Sequence, residues 1–104
     1  MRIELLVVAD CPHEGSAGGL LRQALDDIGL GSESFTVRMV DTQSEADDLH
    51  FGGSPTFMVE GRDVFDDPGR PAAVACRFYS GAQLLPSLRD LRRALKEAAA
   101  LARR

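Results

Sequence analysis

The chain has 104 residues, of which 44% are hydrophobic and 27% charged, and its net charge at pH 7 is −4. This length predicts one domain with a single core over residues 1–104, and the composition is that of an ordinary soluble globular protein. No apolar run approaches the roughly 20 residues of a membrane-spanning helix, and no signal-peptide pattern is present, so we expect a cytoplasmic protein without a membrane partner. In that compartment the two cysteines are expected to be free thiols.

The charge is unevenly distributed along the chain. Residues 1–50 carry three arginines against ten acidic residues, for a net charge of −7, and residues 51–104 carry nine basic residues against six acidic ones, for +3. Much of the positive charge lies in the last segment, from Arg89 to Arg104. A basic face for nucleic acid is one interpretation, but the acidic total charge favours a solvated helix face, so no nucleic-acid partner is expected.

The first strong pattern is an apolar run that leads into a cysteine and a proline. Residues 2–9 are mostly apolar, which is typical of a strand buried on both faces of a sheet. Apolar residues then recur at helical spacing and predict a helix over residues 15–29. Pro12 suits the first helical position, so Cys11 is expected to be the N-cap, where the helix dipole favours the thiolate. A reactive cysteine is therefore the leading hypothesis for this stretch.

The middle of the chain predicts two more strands around a short helix. Residues 34–40 alternate in polarity and are expected to form a strand parallel to the first. Thr42 and Glu45 stand at capping-box spacing, and the helix that they open is expected to end by His50 because two glycines follow shortly afterwards. Residues 56–59 then predict the third strand.

The last part of the chain predicts a hairpin and a final helix. Residues 60–63 are expected to form a turn and residues 64–65 a short fourth strand. Residues 72–80 are ambiguous between extended chain and one helical turn. Ser87 and Asp90 form another capping-box pattern before an apolar helical stripe. The predicted order is β-α-β-α-β-β-α, which is an α/β fold.

This element order, with Cys11-Pro12 at the first strand–helix junction and Ser54-Pro55-Thr56 opening the third strand, resembles the thioredoxin-like superfamily. The resemblance implies a central mixed four-stranded sheet. It implies that the Ser54–Pro55 bond is cis, that Pro55 packs against Cys11, and that the backbone of Ser54 pairs with an extended substrate. Pro12 and Thr56 are further implied substrate-binding residues.

Glu14 departs from the superfamily pattern. Dithiol members carry Cys-x-x-Cys, and Glu14 stands where the second cysteine would be, so exchange between two cysteines within one helical turn is impossible. The resemblance then implies a monothiol redox protein in which Cys11 acts on a thiol or disulfide substrate without a cofactor. His13 lies close to Cys11 in the sequence, directly before Glu14, and is either a further substrate-binding residue or a solvent-facing side chain.

A second resemblance is to a group of short thioredoxin-like proteins called alkylmercury-lyase-like. The points of similarity are the Glu4-Leu5-Leu6 run into Cys11-Pro12, Phe51-Gly52-Gly53-Ser54-Pro55-Thr56, Asp66-Asp67-Pro68-Gly69 and Ala75-Cys76-Arg77-Phe78-Tyr79. Some members carry selenocysteine near the first cysteine, which implies redox use. Organomercurial lyases use two cysteines and an acid three residues after the first. Cys11, Glu14 and Cys76 match that set, although this chain is much shorter and has Glu where those enzymes have Asp.

The neighbours of Cys11 act on its thiol in opposite directions. A helix N-terminus and a protonated His13 would lower the pKa of Cys11, whereas Asp10 and Glu14 would raise it. Glu14 is either a proton donor or base for the thiol chemistry, or an acid that stabilises the start of the helix. His50 is expected only to end a helix, and no chemistry is assigned to it.

Cys76 has two interpretations. The predicted hairpin returns the fourth strand to the end of the sheet at which the third begins, so the loop that follows should emerge near Cys11. Cys76 would then be a resolving thiol or a second metal ligand. Free cysteine is also among the most commonly buried residues, so packing in the core is the competing interpretation.

Three functional hypotheses follow from these residues. The first is a monothiol redox protein with Cys11, Glu14 and Cys76 as catalytic residues. The second is a thiol protein for organomercurials or a soft metal such as mercury, because a thiolate pair suits soft ions and the cysteine and histidine spacing is not that of a zinc site. The third is a non-enzymatic binding module that keeps the groove beside Pro55.

Overall fold

The computed structural model describes residues 1–9, 12–65, 71–79 and 83–102. Over these residues the chain is an α/β structure with a four-stranded sheet and three helices. The elements in chain order are β1 (Ile3–Val7), α1 (Glu14–Asp27), β2 (Thr36–Met39), α2 (Gln43–Leu49), β3 (Thr56–Val59), β4 (Arg62–Asp63) and α3 (Leu88–Ala102). This order of strands and helices is the one that the sequence predicts.

The sheet is mixed and has the strand order β2-β1-β3-β4. Strand β2 runs parallel to β1, as predicted, whereas β3 is antiparallel to β1 and β4 is antiparallel to β3. Leu6 near the end of β1 pairs with Thr56 at the start of β3. The end of β1 and the start of β3 therefore lie together at one end of the sheet, the β1–β3 pole, and this end positions the candidate site.

Two hydrophobic clusters pack against the sheet, and β1 contributes to both. Successive side chains of a strand point to opposite faces, so Leu5 and Val7 belong to one cluster and Leu6 to the other. The larger cluster joins β1 and β3 to helices α1 and α3. The buried members of the smaller cluster are Leu6, Val40, Ala46, Phe51 and Met58. A central strand that is buried on both faces is what the apolar run at the start of the chain predicts.

Helices α2 and α3 begin at the predicted capping boxes. The Glu45 N–H donates to Thr42 Oγ1 at 3.1 Å, and the Asp90 N–H donates to Ser87 Oγ at 3.1 Å. Each bond satisfies an N–H group that would otherwise lack a partner in the first helical turn. His50 ends α2 in the left-handed conformation, with φ of 54°, so the predicted end of this helix is also confirmed.

The hairpin differs from the prediction of a turn at residues 60–63 and a strand at residues 64–65. The turn is only Glu60-Gly61, with φ of 51° and 78°, and β4 is Arg62–Asp63. Two successive residues with positive φ suit the twist of a hairpin, which favours this short turn over a longer one. The Phe65 N–H donates to Asp63 Oδ1 at 2.9 Å, and residues 64–65 pack against the larger core cluster beyond the end of the strand.

Three other elements are shorter than predicted at their ends. Strand β1 is Ile3–Val7 instead of residues 2–9. Helix α1 ends at Asp27 instead of residue 29, because Gly29 has a φ of 83° that a helix cannot contain. Strand β2 covers four exposed residues instead of residues 34–40. It is an edge strand, so its length is set by pairing with β1 on one side only.

Candidate functional site

The segment that carries Cys11 leaves the sheet at the β1–β3 pole. Strand β1 ends at Val7, and the chain enters α1 at Glu14. Asp10 and Cys11 lie outside the described residues. The reactivity of the Cys11 thiol and its contact with Pro55 therefore stay predictions.

The start of α1 corrects the predicted cap. His13, and not Cys11, is the N-cap, and its carbonyl oxygen accepts the N–H of Ala17 at 2.8 Å. Pro12 lies in the turn before the helix. No backbone N–H group is needed from it there, so proline fits this turn as well as it would fit the first helical position. Glu14 is the first helical residue, where a carboxylate is favoured by the helix dipole. The prediction that Cys11 caps this helix is therefore wrong, and the effect of the helix dipole on its thiol stays a prediction.

Ser54, Pro55 and Thr56 form a buried loop at the start of β3. The Ser54–Pro55 peptide bond is cis, the isomer that the resemblance implies. Ser54 is 1% exposed and Thr56 is 0% exposed. Thr56 Oγ1 donates to the carbonyl oxygen of Gly53 at 2.5 Å, which holds the loop against the strand that follows. The loop therefore lies at the β1–β3 pole in a fixed, water-excluded position.

Residues 71–79, the strap, run parallel to this loop. The Ser54 N–H donates to the carbonyl oxygen of Ala75 at 2.7 Å, and the Arg77 N–H donates to the carbonyl oxygen of Ser54 at 3.0 Å. Ser54 and Cys76 thereby form an isolated parallel bridge. No helical turn occurs in the strap, so the extended interpretation of residues 72–80 holds for the part that the structure describes. The backbone groups of Ser54 that were expected to meet a substrate are paired with the chain itself.

Cys76 is exposed on the strap, so the core-packing interpretation is wrong. The strap is fixed by its backbone bonds to Ser54 and by the side chain of Arg77, which leaves the thiol at the surface. Because Cys76 pairs with Ser54, it lies at the β1–β3 pole, as the path of the hairpin predicts. The loop and Cys76 are thus together, and Cys11 belongs to the segment that leaves the sheet at the same end.

Arg77 is a buried cation that has no strong signal in the sequence. Its side chain is 1% exposed, and Nη1 donates to Asp63 Oδ2 at 2.5 Å and to Thr56 Oγ1 at 3.3 Å. Nη2 donates to the carbonyl oxygen of Phe65 at 2.7 Å. Among the described residues, Arg77 Nε has no hydrogen-bond partner. The only trace in the sequence is one arginine within a mostly apolar stretch, and nothing local identifies Asp63 as its partner.

Tyr79 joins the strap to both the loop and the hairpin. Its hydroxyl donates to the carbonyl oxygen of Pro55. Its ring packs edge-on against Phe65 and Phe57, with ring centroids 5.1 Å and 6.2 Å away. The Arg77 guanidinium carbon lies 4.8 Å from the centre of the same ring, which is a cation–π contact. The strap is therefore held at its far end by polar and aromatic contacts together.

The described residues contain no group of three or more His, Cys, Asp or Glu side chains that could hold a metal ion. The soft-metal hypothesis needs Cys11, which lies outside them, so it stays a prediction. In the same part of the chain, no helix has both the length and the apolar character that crossing a membrane requires.

Similarity to known proteins gives no further guide to this site. Comparisons of the chain with models of protein families, with curated proteins and with solved structures returned no match. The case for a function therefore depends on the chemistry of the loop, the strap and the exposed thiol.

Proposed function

We propose that this chain is a thioredoxin-like thiol protein that carries out disulfide exchange through Cys11, with Cys76 as the resolving thiol. The observation that carries the proposal is the exposed thiol of Cys76 beside Ser54 at the β1–β3 pole. The segment of Cys11 leaves the sheet at this same end, since β1 ends there. The mixed sheet with order β2-β1-β3-β4 is compatible with a thioredoxin-like fold.

The exchange has two steps. The Cys11 thiolate attacks one sulfur of a disulfide, forms a mixed disulfide and expels the other sulfur as a thiolate that takes up a proton. The Cys76 thiolate then attacks the Cys11 sulfur and expels the second substrate thiolate, which leaves a Cys11–Cys76 disulfide. Two electrons pass from the protein to the substrate in the cycle. A low-molecular-mass thiol returns the protein to its reduced form and is itself oxidised to a disulfide.

Glu14 is the first acidic residue after Cys11 in the chain. It is the first residue of α1, three residues after Cys11, and its side chain is half-buried. In the proposed reaction its carboxylate accepts the proton of the Cys11 thiol, so that the thiolate can attack the disulfide. This role would be seen as a slower first attack in Glu14→Gln.

Serine substitution of each cysteine tests the proposal. We expect Cys11→Ser to abolish reduction of bis(2-hydroxyethyl) disulfide, because it removes the attacking sulfur. We expect Cys76→Ser to complete the first step and accumulate a mixed disulfide at Cys11, because the resolving sulfur is missing. Intact-protein mass spectrometry and a coupled thiol assay measure the two effects, with the double variant as the background.

Two results would contradict the proposal. One is equal turnover by the native chain and the double variant. The other is alkylation of Cys11 that is no faster than that of free cysteine, since the mechanism needs a thiolate. Stoichiometric Hg(II) binding that needs both cysteines, without disulfide turnover, would instead favour the soft-metal hypothesis. A partner bound equally well by Cys11→Ser would favour the binding module.

A further inference from the structure

We propose that the strap keeps extended polypeptides away from the backbone of Ser54, so that the thiol site does not favour polypeptide disulfides over low-molecular-mass ones. This inference rests on the proposed function, because it concerns the substrates of the same thiols. It is carried by contacts among described residues of the loop, the hairpin and the strap.

The backbone of Ser54 is already fully occupied. An extended peptide binds beside a strand by pairing with free N–H and C=O groups. Both groups of Ser54 are bonded to the strap, through the Ala75 carbonyl oxygen at 2.7 Å and the Arg77 N–H at 3.0 Å. A polypeptide would have to break both bonds before it could make its own.

The strap also lies too close to the loop for a second chain to enter between them. Gly53 has a φ of 116°, and a Cβ atom added there would lie 2.8 Å from Arg77 Cβ and 3.2 Å from the Ala75 carbonyl oxygen. Glycine is therefore required at this position both for its backbone conformation and for the approach of the strap. The loop and the strap are therefore in direct contact at Gly53.

Opening the strap would disturb a buried charge. Arg77 is bonded to Asp63 at 2.5 Å, to Thr56 and to the carbonyl oxygen of Phe65. Breaking a buried ion pair is strongly unfavourable because it leaves an uncompensated charge out of water. The side chain of Arg77, and not that of Cys76, therefore anchors the strap.

The same arrangement leaves the thiol of Cys76 accessible. Cys76 is exposed, although its neighbours in the strap hold the loop closed. A disulfide needs only to reach the attacking sulfur of Cys11, whereas a polypeptide that also pairs with Ser54 needs the edge that the strap covers. The strap thus removes the gain in binding that backbone pairing would give to a polypeptide.

Two substrates with the same scissile bond test this selectivity. The first is the mixed disulfide of 2-mercaptoethanol with N-acetylcysteine methylamide, and the second carries the same disulfide on a cysteine in the middle of a short unstructured peptide. Each rate is divided by the rate of that substrate with free dithiothreitol. We expect the two normalised rates of the native chain to be nearly equal, because the strap leaves the peptide without backbone pairing.

Variants that loosen the strap should create a preference for the peptide. Arg77→Met is expected to raise the ratio of the peptide rate to the small-compound rate by up to about tenfold, the effect of one to two net hydrogen bonds. Tyr79→Phe, which keeps the ring and loses the bond to Pro55, is expected to raise it by less. Arg62→Met is the matched control, because Arg62 is an exposed arginine on β4, and it should leave the ratio unchanged. A ratio that is the same in all four proteins would overturn the inference.

Hydrogen exchange gives a measurement that does not depend on a variant folding correctly. In the native chain the amides of Ser54 and Arg77 should be protected, since both donate within the strap contact. Exchange of these two amides as fast as in an open loop would overturn the inference, as would a native preference for the peptide. Reaction with neither substrate would overturn the proposed function, and the inference with it.

Discussion

The side chain of Arg77 connects the strap to the hairpin at the β1–β3 pole. Its guanidinium contacts Asp63 on β4, Thr56 on β3 and the carbonyl oxygen of Phe65, so one side chain of the strap reaches both strands of the hairpin. Arginine suits such a position because its planar group can donate in several directions at once. The result is a cation with a 1% exposed side chain within a protein of only 104 residues.

Loss of this ion pair should lower the free energy of unfolding strongly. We expect Arg77→Met to cost about 3–5 kcal/mol, because Asp63 would be left as a largely buried carboxylate without its partner. The double variant Arg77→Met with Asp63→Asn should be less destabilised than the sum of the two single variants. Urea unfolding followed by circular dichroism measures each value.

Arg89→Met is the matched control for this prediction. Arg89 also forms an ion pair, with Asp90 at 3.5 Å, but the two side chains are 78% and 41% exposed. Exposed pairs contribute about 0–1 kcal/mol, so this variant should unfold at nearly the native urea concentration. Equal losses in Arg77→Met and Arg89→Met would contradict the role given to Arg77.

At the scale of residues, the sequence predicts local partners well and distant ones poorly. Thr42 and Ser87 are correctly predicted as caps, because each bonds an N–H three residues away. Average burial preferences favour a buried Cys76 and an exposed Arg77, and the structure has the reverse. The reason is that Asp63 comes from a separate element of the fold, and no local pattern contains that contact.

At the scale of elements, the backbone conformation of the turn between β3 and β4 determines where β4 begins. Strand register requires the two-residue turn Glu60-Gly61, and both residues have positive φ. The sequence contains the glycine that permits this turn, but it does not indicate whether two or four residues form it. For that reason the fourth strand is predicted too late in the chain, whereas the third strand is predicted at its observed bounds.

The same substitution should have opposite effects in two elements. We expect Gly61→Ala to lower the free energy of unfolding by about 1–2 kcal/mol, because its φ of 78° is unfavourable for alanine. We expect Gly19→Ala to raise it by about 0.5–1 kcal/mol, because Gly19 is an exposed residue inside α1 with no atom near an added Cβ. Thermal unfolding of the two variants and the native chain measures both signs. A loss of stability in Gly19→Ala would contradict this description of α1.

At the scale of the whole molecule, the sheet separates two clusters and has an open edge at β2. All four residues of β2 are exposed, and Val37 is 49% exposed. Immediately after the strand, Val40 is 0% exposed and belongs to the smaller cluster. The sequence shows all of these residues as one alternating run, so it cannot distinguish the exposed strand from the buried residue that follows it.

Threonine substitutions distinguish the two valines. We expect Val40→Thr to lower the free energy of unfolding by about 1–3 kcal/mol, because it places a hydroxyl group in an apolar cluster. Val37→Thr should change it by no more than about 0.5 kcal/mol, because the side chain already contacts water and threonine keeps its branched shape. Chemical unfolding of both variants measures the difference, and equal effects would contradict the position of β2 at the edge.

The contacts of Arg77 also constrain the sequence of events by which the chain assembles. Its described side-chain partners, Asp63, Thr56 and Phe65, all belong to the β3–β4 hairpin or directly follow it. A cation cannot be withdrawn from water before the groups that compensate it are in place. We therefore expect the hairpin to form first during folding and the segment with Cys76 to close over it later. In partial unfolding, this segment should be among the first to separate.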